Sequence, residues 1–511
     1  MILLAAAIVG SWIAWRIWRF TILPILKPNE VKELPYWIPF LGHAIALYRD
    51  IDGTVSYGRE YFGNTRETFS LTVAGQKIYI MTSATNVSAI LNNSQTFDNS
   101  KPKKFLMRRF GVSKEALKTL YGQALTSPPD EKTLESNPLS RHITTPSERL
   151  LNQQLNPGKI YNDFEAVCLS ALEERLRWDT MYPKAVLSSN GTKSAERTVS
   201  LFKLARQTLV ESTTIALFGP VMLKICPDFV DNYLQFDDNI QMFLQKVPSP
   251  WTSTVEASVQ RLHKSIGSYF ELPKEKRSGA AWLVTSLETD LRTRGIQTRD
   301  IVGWFVMIYW GMNTNNWRLG FWLSAYVVHD QKLLATVREE ITPFMQDSTP
   351  LSSLNGHLKR CKHLNSVFNE VLRLVDSPIS IRESTCAQTS ALGEPLPAGA
   401  TVMLVNRQLL LDENTWGPDA KTFNHERFLH NEGLLRSKSF TPFGGGHLLC
   451  PGRFMAKAEV MVFLALLIHR FDIIATSSFP RLDTKSGAGV GILGVKDDDD
   501  SVLLLSRRAK G

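Results

Sequence analysis

Cysteine is scarce in this 511-residue chain. Cys168, Cys226, Cys361, Cys386 and Cys450 are odd in number, far apart, and never in a C-x-x-C pair. That pattern excludes a disulfide framework and suits a working domain in a reducing compartment. No dense Lys/Arg block and no zinc-finger spacing occur, only pairs such as Lys103-Lys104 and Arg108-Arg109. The net charge of +9 reads most plainly as a basic surface with no specific partner; beside an anionic membrane or an acidic protein it would add long-range attraction, and no nucleic-acid partner is expected. No glycine-rich phosphate loop follows a strand and no internal repeat is found, so the chain carries no nicotinamide or flavin module of its own. Hydrophobic residues make up 43% and charged residues 21%, which is ordinary for a protein with a large core and excludes a disordered chain.

Charge is also missing from Met1 to Trp15. Arg16 and Arg19 follow, and by snorkelling they let an apolar span continue towards Ile25. Trp12, Trp15 and Trp18 suit a headgroup boundary. Basic residues after the run, not before it, favour a retained signal-anchor over a cleaved signal and keep the downstream body on the cytoplasmic side. Prolines at 24, 28, 35 and 39 then stiffen a linker. The expected organisation is a membrane anchor over residues 1–25, a proline-rich hinge over 26–45, and one catalytic domain over 46–511.

Within that domain, Thr68 to Val73 and Ile78 to Met81 read as strands. Ser113 to Tyr121, Pro146 to Leu155, Asp163 to Trp178, Val199 to Phe218 and Tyr233 to Gln245 read as helices. Thr126 to Thr145 is polar and loop-like, and Ser249 to Trp251 breaks the pattern. Ile301 to Trp317 has no charge, but Asn313, Thr314, Asn315 and Asn316 are too costly for lipid, so it reads as a buried central helix whose polar patch needs a reason. Helices continue to Val375, short strands fill Pro378 to Val405, and a last helix runs from Gly452 to Arg470. The fold class is mainly α with a minor β part.

The chemistry is densest at Phe443-Gly444-Gly445-Gly446-His447-Leu448-Leu449-Cys450-Pro451-Gly452-Arg453. Glycines let backbone N–H groups approach a sulfur, an aromatic ring shields it, and a helix beginning at Gly452 aims its positive end at a thiolate. A buried free cysteine after a glycine loop is the plainer reading of the cysteine taken alone. The four fixed residues of F-x-x-G-x-x-x-C-x-G arise by chance on the order of once in several hundred such chains.

This loop resembles the haem-binding signature of the cytochrome P450 family. Glu370-Val371-Leu372-Arg373 resembles the family's E-x-x-R. His425-Glu426-Arg427-Phe428 resembles its P-E-R-F segment, whose arginine joins the Glu and Arg in a buried ion cluster. Pro378 to Glu383 resembles the segment in which an arginine, here Arg382, binds a haem propionate. The resemblance implies a cytochrome P450 fold behind one transmembrane helix. It also implies haem b (iron protoporphyrin IX) on Cys450 as axial iron ligand, held by Phe443, Gly446, Gly452 and Arg382, and a structural cluster of Glu370, Arg373 and Arg427.

Several family features are absent. Leu448 stands where Arg or His usually precedes the cysteine by two residues, and no tryptophan occurs between Arg49 and Pro157 to form the W-x-x-x-R propionate contact. The central-helix A/G-G-x-D/E-T becomes Gly311-Met312-Asn313-Thr314-Asn315-Asn316. Aligned on Gly311, Thr314 is the oxygen-site alcohol and Asn313 replaces the acid. Aligned on Phe321-Trp322, Asn315 takes the alcohol's place, as in the branch holding cholesterol 7α-hydroxylase and prostacyclin synthase, to which the pattern leans. A plainer alternative is that these amides only cap or kink a buried helix.

The resemblance implies a monooxygenase that oxidises a lipophilic small molecule, a sterol, terpenoid or other secondary metabolite. It would use O2 and electrons from NADPH-cytochrome P450 reductase, with NADPH and flavins only on that partner. The location implied is the endoplasmic reticulum membrane, single-pass, with the catalytic domain facing the cytosol. An isomerase or dehydratase acting on a peroxide or endoperoxide without external electrons stays open, because an amide cannot ionise to relay a proton. A non-catalytic haem sensor or transporter is a third class. By family position, Trp304, Met307, Asn315, Val375, Ile379 and Ile492 are the expected substrate-facing residues, with core packing the competing role for each.

Overall fold

The computed structural model describes residues 2–508 apart from 94, 123–145, 190–195, 245–251, 346–349, 390–392, 394, 447–448, 486–488 and 497–498. The loop expected over Thr126–Thr145, the break at Ser249–Trp251, and both His447 and Leu448 lie outside the described residues.

The fold is mainly helical with a small β part. The elements used below are α1 (Ile2–Ile17), β1 (Phe69–Val73), β2 (Gln76–Met81), β3 (Phe97–Asp98), α2 (Lys159–Arg175), β4 (Val186–Ser189), β5 (Glu196–Ser200), α3 (Leu201–Phe218), α4 (Phe229–Asp237), α5 (Thr298–Asn313), α6 (Asn316–Val328), α7 (Lys362–Val375), β6 (Ile379–Ser384), β7 (Thr401–Val405), α8 (Arg453–Arg470), β8 (Phe471–Ala475) and β9 (Val502–Arg507). One sheet has the order β1-β2-β7-β6-β3, with β2 and β7 parallel and the other pairs antiparallel. A second, β8-β9-β5-β4, is antiparallel and joins the C-terminus to the middle of the chain. The helix expected from Val199 begins at Leu201, because Glu196–Ser200 is recruited as the strand beside β9.

The apolar patterns explain the core. In α7, Leu364, Val367, Phe368, Val371 and Leu374 recur at helical spacing and are buried. Helices α6 and α8 are buried almost all round and pack on each other and on α2, α3 and α7, which makes them central. The uncharged run from Ile301 is not one helix. It ends at Asn313 and restarts at Asn316, so Thr314 and Asn315 form a break inside the core.

At the N-terminus, Ile2–Leu26 is a 25-residue helical segment with a mean hydropathy of 1.3, none of it buried in the body, and is by length and composition a candidate membrane span. It is not a free tether. Trp12, Trp15, Arg16, Arg19, Phe20 and Leu23, at helical spacing, are its partly covered residues. Trp12 stacks on Trp37 with centroids 5.6 Å apart, Trp15 and Phe20 pack on Tyr36, and Arg19 pairs with Glu33 at 2.9 Å. The proline-rich stretch is likewise pinned: Leu34 N–H donates to Ser70 O at 3.0 Å, and Ser70 N–H to Lys32 O at 2.8 Å.

Candidate functional site

The glycine loop before α8 folds back on itself. Cys450 N–H donates to Phe443 O at 2.9 Å, closing the turn. Gly446 has φ +62°, and a Cβ there would sit 1.8 Å from Leu91 O, so only glycine fits that approach. Asn406 Nδ2 donates to Thr441 O at 3.0 Å and ties the loop to the end of β7. Burial pushes the Cys450 thiol up, while the N–H groups of Gly452 and Arg453 and the Arg453 charge pull the other way. A sulfur so placed is a thiol in the bare chain and a thiolate once a metal replaces its proton.

Three observations fit a flat prosthetic group against this loop. Every described residue from Thr441 to Phe454 is only half-buried, although the helices around it are packed. Gly311, in the last turn of the mostly buried α5, is exposed, and a Cβ there would meet nothing within 4 Å. Arg382, on β6, is buried, yet among the described residues its Nε has no hydrogen-bond partner and Asp98 alone is found to attract its charge. Burial pushes its pKa down to about 10, the mark of a guanidinium that lacks a full anionic partner.

The cluster expected from E-x-x-R is assembled. Glu370 accepts from Arg373 Nε at 2.8 Å and Nη2 at 2.7 Å, and from Arg427 Nε at 3.2 Å. Arg427 Nη2 also reaches Asp419 at 2.9 Å, and Arg373 Nη1 donates to Leu410 O at 2.8 Å. These bonds join α7 to the segment that leads into the cysteine loop.

At the helix break, Thr314 and Asn315 flank the open Gly311 face and part company. Thr314 is buried and its hydroxyl donates to Asp237 at 2.6 Å. Asn315 Oδ1 accepts the Ile492 N–H at 2.8 Å, and Asn313 Nδ2 donates to Tyr309 O at 2.9 Å. Of the residues expected to face substrate, Met307, Asn315 and Ile379 are half-buried, whereas Trp304, Val375 and Ile492 are packed in the core. The sequence reading did not find Asp237, Asp376 or Glu459. Asp376 is buried with Oδ2 unpartnered, and burial drives its pKa up. Glu459 is pushed up to about 7 by burial and accepts from Cys168, Thr213 and Asn316. None carries a local sequence signal, since the partners of Asp237 and Glu459 are remote in the chain and Asp376 is set apart only by its burial.

The cytochrome P450 family model matches residues 226–495, more than half of the chain. This chain belongs to the cytochrome P450 family. Its relatives include cytochrome P450 monooxygenase nodJ of Hypoxylon pulicicidum, 23% identical over 88% of this chain and 84% of that protein. Rabbit (Oryctolagus cuniculus) cytochrome P450 7A1 is 22% identical over 93% of both chains. Cytochrome P450 monooxygenase poxD of Penicillium oxalicum is 22% identical over 89% of both. The chain is thus a P450 enzyme, and membership in the family implies haem.

Proposed function

We propose that this P450 is a membrane-anchored haem-thiolate monooxygenase that oxidises a lipophilic small molecule, a sterol, terpenoid or related metabolite, with O2 and electrons from NADPH-cytochrome P450 reductase. The observation that carries the reading is the pairing of two features: a closed glycine loop presenting Cys450, and a buried helix opened at Gly311 with no side chain to fill the gap. Haem b supplies the redox chemistry when bound, with the thiolate favouring O–O cleavage. Cys450 would hold the iron, Phe443, Gly446 and Gly452 would shape the loop around the sulfur, and Arg382 would pair with a propionate. Glu370, Arg373 and Arg427 hold the loop's supporting core and touch no reacting atom.

The protein's part in the chemistry is to pose substrate and manage protons. Met307, Asn315 and Ile379 are the half-buried side chains on the open side. The Ile492 N–H on Asn315 Oδ1 fixes the amide's rotation, so Nδ2 is its free donor. Anchoring at the endoplasmic reticulum membrane with the body on the cytosolic side is supported by the apolar Ile2–Leu26 helix and the basic residues that follow it. In this reading residues 1–25 are the anchor, 26–45 the hinge and 46–511 the catalytic domain.

One observation favours a second reading. At the helix position where the family usually has an acid, Asn313 is an amide, bonded to Tyr309 O. An isomerase or dehydratase acting on a peroxide needs no external electrons and no proton relay of that kind. Reconstitution with reductase and a panel of lipophilic metabolites separates the two. Substrate-dependent consumption of NADPH and O2 supports the monooxygenase, and product formation without either supports the isomerase. The Cys450→Ser variant is expected to lose the thiolate-type reduced carbon monoxide band, and retention of that band defeats both readings.

A further inference from the structure

Three consecutive side chains leave the helix break in three directions. Asn316 Nδ2 donates to Glu459 on α8, Asn315 Oδ1 accepts from Ile492 N–H, and Thr314 Oγ1 donates to Asp237. Asp237, the last residue of α4, is fully buried and collects two further donors, Trp317 Nε1 at 3.0 Å and Arg318 Nη1 at 2.7 Å. Arg318 Nη1 also donates to the Thr314 carbonyl, and to Thr314 Oγ1 at 3.0 Å. The Arg318 guanidinium lies over the Trp317 ring at 4.4 Å.

A hydroxyl has one proton to give. That of Thr314 is committed to a carboxylate, and its oxygen already accepts from a guanidinium. Thr314 therefore has nothing left to donate towards the open Gly311 face. Asn315 is in the opposite condition: its Oδ1 takes the Ile492 N–H, while its Nδ2, which lies against the bare Gly491, makes no hydrogen bond to a described residue. The same turn of α4 reaches the other side of the opening. Phe236, next to Asp237, packs on Phe110 and Phe243 at 6.0 and 5.3 Å, and Phe110 packs on Trp310 at 5.3 Å, one residue before Gly311.

We propose that Asp237 is a positioning residue that holds the Thr314 hydroxyl on the α4 side of the break and leaves Asn315 Nδ2 as the donor facing a ligand over Gly311. The proposal rests on the haem-thiolate reading above. It gives the buried Asp237–Arg318 pair a role: a carboxylate with three donors outcompetes any single ligand for the threonine proton. It also ties that arrangement to the helix carrying Phe236, so a shift of α4 changes which donor meets the ligand.

The test uses carbon monoxide on the reduced full-length holoprotein, read by the infrared C–O stretch. A hydrogen-bond donor beside the bound carbon monoxide moves that stretch, and losing the donor moves it back, since distal-pocket donors tune the iron ligand. Thr314→Val is expected to leave the band in place, and Asn315→Leu to shift it upward. Asp237→Asn is expected to add a second, lower band, which Thr314→Val removes in the double variant. Asp237→Asn strands Arg318, so if that variant fails to fold, Thr314→Val in the otherwise unchanged chain decides alone. A Thr314→Val shift as large as that of Asn315→Leu overturns the proposal, as does an unaltered band in folded Asp237→Asn. Failure of the underlying reading looks different: the unsubstituted protein then gives no thiolate-type carbon monoxide spectrum at all.

Discussion

Arg373 grips Glu370 with two hydrogen bonds, from Nε at 2.8 Å and Nη2 at 2.7 Å, and neither side chain has any exposed surface. Arg427 reaches the same carboxylate from 57 residues away in sequence. Removing Glu370 therefore leaves two guanidinium groups buried without their shared anion. Glu370→Ala is expected to lose about 3–5 kcal/mol of stability, seen as a lower urea midpoint. An unchanged midpoint would mean that water or another acid replaces the carboxylate.

Arg382 leads to two opposite expectations. Without haem it is a buried cation whose Nε has no partner. Arg382→Leu should raise the thermal midpoint of the haem-free chain. With haem, losing a charge-assisted bond to a propionate should weaken cofactor retention by about 10–100-fold. Haem content per chain after exhaustive gel filtration measures the second effect. Equal retention in both proteins would count against Arg382 as a propionate partner.

Glu459 makes stability depend on pH. Burial raises its pKa from 4.5 to about 7. Between those values the folded chain holds a proton that the unfolded chain has released. Its stability therefore falls as pH rises through that window, and the loss is complete above about 7. Glu459→Gln should remove up to about 3 kcal/mol of that decline. Denaturant titrations at pH 5 and pH 8 give the slope, and an unchanged slope in the variant would assign it to other buried acids such as Asp376.

The anchor contacts can be loosened without touching the site. Arg19 pairs with Glu33, and Trp37 stacks on Trp12 while lying 4.5 Å from the Arg16 guanidinium. Arg19→Ala with Trp37→Ala should free the segment around Lys32, an exposed residue not followed by proline, and speed tryptic cleavage after it by roughly fivefold, the worth of one half-buried ion pair and one cation–π contact. The reduced carbon monoxide spectrum should not change. A cleavage rate equal to that of the unsubstituted protein would show that other contacts hold the helix.

Legibility differed from one part of the chain to the next. Wherever one element carries both pattern and purpose, local spacing was enough: the i,i+3 pair of α7, the loop closed from Phe443 to Cys450, and the helix that follows from Gly452. The uncharged run from Ile301 was readable as a buried central helix. A cap or kink at its amides was legible only as the plainer alternative, because a helix pattern continues through Thr314–Asn315 and their partners decide where the helix breaks. The strand Glu196–Ser200 was read as the start of a helix, since its pairing with Val502–Arg507 lies some 300 residues away in sequence.

Taken by itself, the order of residues determined the mainly helical class, the apolar N-terminal segment, the glycine loop that ends at Cys450 and the acid–arginine cluster behind it. Each of these depends on spacing within a turn or a short loop, which local sequence encodes. Only the tertiary structure decided that Thr314 bonds Asp237 while Asn315 meets Ile492, that Arg382 is buried short of a partner, and that Glu459 shares its carboxylate among three elements. Those outcomes turn on desolvation and on groups remote in the chain, and a buried polar atom's partners exist only once the chain has packed.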